Sequence, residues 1–183
     1  MKKLLPKLVV ALSVVTPFYS QAAVELPEGT QEVSVQGNAK LGSGWNLNLT
    51  GSYGYFIKDN WEIGGTATID AQDANDAFTG KLGVFTEYNF VNSTNWVPYL
   101  GAATQLAGLS YDENAGAAGN IGEDGSSWAL NIKLAGGLKY FINENVALSG
   151  EINYNIATDD IEFNGDKAED SITNIIFGTR FYF

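Results

Sequence analysis

From Glu32 to Phe183, apolar and polar residues alternate with a period of two through eight successive segments. Neighbouring side chains of a β-strand point to opposite faces, so this alternation specifies two-faced strands, whereas helical apolar residues recur at three and four. In "EVSVQGNAKL", Val33, Val35, Ala39 and Leu41 share one face, and Glu32, Ser34, Gln36, Asn38 and Lys40 share the other. "WNLNLTGSYGYFI", "WEIGGTATIDA" and "FTGKLGVFTEYNF" repeat the pattern, placing Trp45, Leu47, Tyr55, Trp61, Ile63, Leu82 and Tyr88 on apolar faces. "WALNIKLAGGLKYFI" and "NVALSGEINYNIAT" continue it, and "ITNIIFGTRFYF" ends the chain on Ile175, Phe177, Phe181 and Phe183 opposite Asn174 and Arg180. One segment, "WVPYLGAATQLAGLSY", carries apolar residues in both phases, and its Pro98 suits only the start of a strand. The expected fold class is all-β, with eight strands.

The ends of the chain indicate where those strands reside. "MKKLLPKLVVALSVVTPFYSQAA" opens with Lys2, Lys3 and Lys7, continues through an apolar run from Leu8 to Val15, and closes on Ser20, Ala22 and Ala23. A positive start, a short apolar core and small residues form a secretory signal, expected at 1–23 with cleavage after Ala22 or Ala23. As a membrane anchor it is too short, because a spanning helix needs roughly 20 apolar residues and Pro17 interrupts this one. Residues 24–183 are short enough for one domain. They contain no cysteine, so an exported chain must be held without disulfides. The formal net charge of −11 argues against nucleic acid, whose phosphates select Lys and Arg.

A soluble barrel turns its apolar face inward and covers its outside with charge. Here the polar faces carry Asn, Ser, Thr and a few charges of both signs, which suits a crowded interior, while the apolar faces end in aromatic residues. That is the inverted pattern of a transmembrane barrel, apolar towards lipid with aromatic girdles at both interfaces. The joins agree. "KDN" and "NEN" are tight, whereas "QDAND", "DENAGAAGNIGEDGSS" and "DDIEFNGDKAED" are long and polar. Short periplasmic turns and long extracellular loops have this asymmetry. With the amino terminus on the periplasmic side, Tyr55, Trp61, Tyr88, Phe90, Trp96, Tyr140 and Phe183 fall at the periplasmic rim, and Trp45, Phe78 and Trp128 at the outer rim.

The stretches "YGYFIKDNWEIGG", "WVPYLGAA", "GLKYFINENVALSGEINY" and "IIFGTRFYF" resemble the bacterial outer-membrane β-barrel family, the small eight-stranded barrels similar to the membrane domain of outer membrane protein A. The resemblance spans nearly all of 24–183 and implies an up-and-down antiparallel barrel in the cell outer membrane of a Gram-negative bacterium. It implies contact with outer-membrane lipid and lipopolysaccharide, and passage through the outer-membrane assembly machinery. Phe177, Phe181 and Phe183 resemble the terminal signal that machinery reads. The peptidoglycan-tethering domain of full outer membrane protein A has no counterpart in the sequence.

Eight strands enclose a lumen just wide enough to be filled by side chains. Glu32, Lys40, Glu62, Asp70, Lys81, Glu87, Lys133, Lys139, Glu151 and Arg180 face it, and their charges nearly balance. Buried charges persist when paired, so these residues read as a salt-bridged plug. The alternative is a small passive channel for ions or small solutes, lined by the same side chains. Catalysis is not expected: with no histidine and no cysteine, the usual general base and the thiolate nucleophile are missing, and no cofactor is implied. The loop acids Asp159, Asp160, Asp166 and Asp170 are weak candidates for divalent cations at the loops, because Ca²⁺ and Mg²⁺ favour carboxylates, but no dedicated Ca²⁺ motif is present. The expected protein is a monomer with a structural or surface-interaction role.

Overall fold

A computed structural model describes residues 24–40, 46–72, 77–110, 127–158, 162–164, 167–169 and 171–183. Eight long strands form a closed antiparallel barrel: β1 (Gln31–Lys40), β2 (Asn46–Lys58), β3 (Trp61–Gln72), β4 (Ala77–Asn89), β5 (Trp96–Ser110), β6 (Ser127–Asn143), β7 (Val146–Ala157) and β10 (Ser171–Tyr182). Each strand pairs with its neighbours in sequence, and β10 returns to β1 in the register Glu32↔Tyr182 through Gly37↔Phe177. The last peptide closes the seam, with Gln31 N donating to Phe183 O at 2.9 Å and Phe183 N to Gln31 O at 3.1 Å. Closure matters because lipid offers no partner to an open strand edge.

The alternation in sequence becomes the inside and outside of this cylinder. Glu32, Ser34 and Gln36 of β1 are buried, as are Thr66 and Thr68 of β3 and Ser149, Glu151, Asn153 and Asn155 of β7. Their neighbours Val35, Ile63, Ile69, Leu148, Ile152 and Tyr154 are exposed on the outer wall. The ambiguous strand β5 takes the phase that buries Val97, Tyr99, Ala103, Gln105 and Ala107 and exposes Trp96, Leu100 and Leu106. Register decides this, because pairing with β4 and β6 on both sides leaves only one phase compatible with their faces. Pro98, third in β5, lies on the exposed side, where its ring meets no neighbour across the lumen.

The two tight turns sit at one end of the barrel, after β2 and β6, each beside a register shift at Phe56/Lys58 and Phe141/Asn143. The β4–β5 connection and both described chain ends share that end, the turn end. All other connections lie at the opposite, loop end. The segment "DDIEFNGDKAED", read from sequence as a polar loop, contains a short hairpin of β8 (Glu162–Asn164) and β9 (Lys167–Glu169). Two residues, Gly165 and Asp166, separate its strands, and a Gly-Asp pair between two strands is a hairpin signal that the loop reading overlooked.

Candidate functional site in the barrel lumen

Inward residues of the eight strands stack in layers from the turn end to the loop end. The first layer is apolar: Phe56, Val97, Phe141, Ala147 and Tyr182 form a buried cluster with Leu26, which precedes β1. The Phe141 and Tyr182 rings lie 5.0 Å apart.

The second layer is ionic. Arg180 of β10 donates to Glu32 of β1 at 2.8 Å and to Glu87 of β4 at 3.0 Å. Lys139 of β6 meets the same two carboxylates, at 3.0 Å from Glu32 and 2.5 Å from Glu87. Two cations and two anions from four strands therefore tie opposite walls together. Lys139 is completely buried, and the other three side chains are no more than 6 % exposed. Tyr99 lies beside the network, with the Arg180 guanidinium 4.6 Å and the Lys139 ammonium 5.2 Å from its ring centre, close enough for cation–π attraction.

Glu62 completes the layer differently. It is fully buried and neither carboxyl oxygen has a hydrogen-bond partner among the described residues. Its carboxyl rests on Gly54 of the paired strand β2, where a Cβ would overlap it, so the close approach requires glycine. Oxygens of Glu32, Glu62 and Glu87 lie within 4.8 Å of one another, the spacing of a cation site. Lys139 and Arg180 already neutralise two of the three, so the protein supplies most of the positive charge itself.

Above the ionic layer runs a chain of hydrogen bonds. Glu151 accepts from Tyr99 Oη at 3.0 Å and Lys133 Nζ at 3.2 Å, and it lies 3.9 Å from Arg180. Asn153 donates to Glu151, Asn155 to Asn153, and Asn131 to both Asn155 and Gln105, all at 2.9–3.1 Å. Lys81 pairs with Asp70 at 3.5 Å, and Asp70 also accepts from Asn48. Cavities of about 30 Å³ and 20 Å³ lie along this column and share Thr50 and Lys133 as walls. Each has room for about one or two water molecules, far too little for a solute. Small residues, Ala107, Ala129 and Ala157, form the last described inward layer.

The structure thus brings Glu32, Glu87, Lys139, Arg180, Glu151 and Lys133 into one network, leaves Glu62 beside it without an ion-pair partner among the described residues, and sets Lys81 apart with Asp70. Lys40 ends β1 opposite Asn46, and its side chain lies outside the described residues. Phe177, Phe181 and Phe183 project from the outer wall. Asp159, Asp160, Asp166 and Asp170 lie outside the described residues, as do Trp45 and the side chains of Phe78 and Trp128. Sequence reasoning missed Tyr99, Tyr182 and Leu26. Tyr99 was hidden by the two-phase apolar pattern of β5, Tyr182 by its apolar neighbours, and Leu26 by preceding the first alternating segment.

The closed eight-stranded wall is apolar outside and polar inside, and the family model of the outer membrane protein beta-barrel domain matches residues 9–181. The chain belongs to this family. No curated protein matches it. Among solved structures it is similar to Neisserial surface protein A, at 20 % identity and a TM-score of 0.55, covering 83 % of this chain and 94 % of that one. It is also similar to the N-terminal beta-barrel domain of Pseudomonas aeruginosa OprF, at 16 % identity and a TM-score of 0.59, covering 86 % and 100 %. At these identities the likeness carries the fold. The protein resides in the cell outer membrane, its apolar wall is the lipid face, and the lumen is the enclosed side. Among the described residues no helix is long and apolar enough to cross a membrane; the strands do so.

Proposed function

We propose that the protein is a closed, non-conducting barrel that contributes to the cell envelope and presents acidic loops at the cell surface. The observation that carries this reading is the buried Glu32–Lys139–Glu87–Arg180 network, which spans the lumen from four strands. A pore would leave such charges hydrated. Here they neutralise one another, and such pairs are far less screened by salt than exposed ones. Recordings in planar bilayers should show no stable unitary conductance. A persistent, sizeable conductance would replace this reading with the small passive channel.

Five further assignments belong to the proposal. Residues 1–23 are a cleaved export signal, and mass spectrometry of the outer-membrane form should find it starting at Val24 or Ala23. The turn end faces the periplasm, where Tyr88 packs on Phe90 and Trp96 on Tyr140 as exposed aromatic pairs of a girdle. Phe177, Phe181 and Phe183 serve the outer-membrane assembly machinery, so Phe183→Ser should lower outer-membrane yield in cells more than it alters the purified barrel. Unchanged yield would reject that role. The barrel acts as a monomer. Divalent cations at Asp159, Asp160, Asp166 and Asp170 would bridge the loops to lipopolysaccharide phosphates; calorimetry showing no Ca²⁺ or Mg²⁺ uptake at millimolar concentration would dismiss this.

A further inference from the structure

Residues 24–30 do not trail away from the barrel. A turn from Pro27 to Thr30, closed by Thr30 N donating to Pro27 O at 3.2 Å, reverses the chain just before β1. Gly29 sits in its third position with φ +94°, a conformation that favours glycine. The reversal carries Leu26 into the mouth of the lumen, where it is 3 % exposed against Phe56, Val97, Phe141, Ala147 and Tyr182. Val24 packs on the same cluster.

Hydrogen bonds from and to its backbone lock the segment in place. Asn60 N, in the β2–β3 turn, donates to Leu26 O at 2.8 Å; Glu28 N donates to Asp59 Oδ1 at 3.0 Å; and Gly29 N donates to Phe56 O at 2.9 Å. Asn60 adopts φ +66°, a left-handed conformation that asparagine tolerates, and its carbonyl accepts in turn from Asn89 N of β4 at 2.9 Å. The segment is thus anchored to β2, to the β2–β3 turn and, through Asn60, to β4.

Its position explains its purpose. Tyr182 is shared by two layers: its ring packs on Phe141 in the apolar cluster and lies 5.5 Å from the Lys139 ammonium of the ionic network. The apolar layer lies between that network and the turn end. We propose that the segment Val24–Thr30 is a built-in stopper, with Leu26 as its plug, that keeps water and ions out of the turn end of the lumen and so keeps the ion pairs dry. This inference rests on the closed-barrel reading and adds a device to it: the ionic network ties the walls, and the stopper seals one end.

The absence of cysteine makes a clean test possible. Val97→Cys places a single thiol in the apolar layer, at a position that is fully buried in the present packing. In refolded full-length barrel, its reaction with a small cationic methanethiosulfonate should be slow, and should accelerate about tenfold or more when Leu26→Ser is added, because the protecting contact is gone. Leu26→Met should retain the protection. Gly29→Val, which strains the turn without touching the lumen, should reproduce the acceleration even if Leu26→Ser folds poorly; heat-modifiable gel mobility reports folding of each variant. Equal reactivity with and without the Leu26 and Gly29 changes in folded barrels would overturn the stopper. Conductance by the unaltered barrel would instead defeat the closed-barrel reading, so the two failures are separable.

Discussion

The two halves of the lumen are built from different materials. Towards the turn end, large rings and fully charged groups fill the cross-section: Phe56, Phe141, Tyr99 and Tyr182 around Glu32, Glu87, Lys139 and Arg180. Towards the loop end the filling is mostly neutral amides, hydroxyls and alanines, with the Lys81–Asp70 pair set among them: Asn131, Asn153, Asn155, Gln105, Thr50, Thr68, Ala107 and Ala129. Neutral amides lose little when water replaces a partner, whereas a buried charge without its partner loses several kcal/mol. The half that must stay dry therefore combines a shared ionic network with an apolar seal, and the half nearer the loops, the Lys81–Asp70 pair apart, is made of groups that tolerate water. Cross-wall ion pairs concentrate cohesion in one layer, and the amide chain spreads it over many weak bonds.

If that contrast is real, the largest effect should come from the ionic layer. Arg180→Ala strips a shared cation from Glu32 and Glu87 and should destabilise the barrel by about 3–5 kcal/mol in denaturant unfolding from detergent or lipid. A loss below about 1 kcal/mol would show the network to be peripheral to cohesion. Asn131→Ala removes the central amide of the upper chain, bonded to Gln105 and Asn155, and should cost roughly 1–2 kcal/mol in the same assay. A cost equal to that of Arg180→Ala would erase the distinction between the halves.

Smaller effects sharpen it. Glu62→Gln keeps the shape of a buried side chain whose carboxyl oxygens have no hydrogen-bond partner among the described residues. It should leave stability within about 1 kcal/mol of the parent or raise it, in contrast to Glu87→Gln, which unpairs Lys139 and Arg180. A severe loss in Glu62→Gln would mean that its carboxyl takes part in the network. Removing residues 112–126 from the β5–β6 loop should change barrel stability least, by less than about 1 kcal/mol, because a shorter closure costs little entropy. Any surface-binding activity should disappear with them, and loss of folding would show that the loop is part of the barrel.

Particular residues show how much could be read in advance. Period two sets Ser34 and Arg180 on the face opposite Val35 and Phe181, because strand geometry leaves a side chain only two directions, and the polar make-up of that face marks it as the inner one. Tyr99 could not be assigned that way, since Val97, Ala103 and Ala107 make the inner face of β5 as apolar as its outer face. The partners of Arg180 were not legible either. Glu32 lies 148 residues away in sequence and Glu87 lies 93 away, and a balanced set of lumen charges allows many pairings.

The sequence by itself determined the strand count of the barrel, the lipid and lumen faces of nearly every strand, and the short-turn and long-loop ends, because each follows from local periodicity and composition. Only the tertiary structure decided which charges meet, that Glu62 stands without an ion-pair partner among the described residues, that β5 turns Tyr99 inward, and that Leu26 enters the mouth of the barrel. These depend on inter-strand register and closure, which bring side chains from distant strands to one height in the lumen, and no local pattern carries that height.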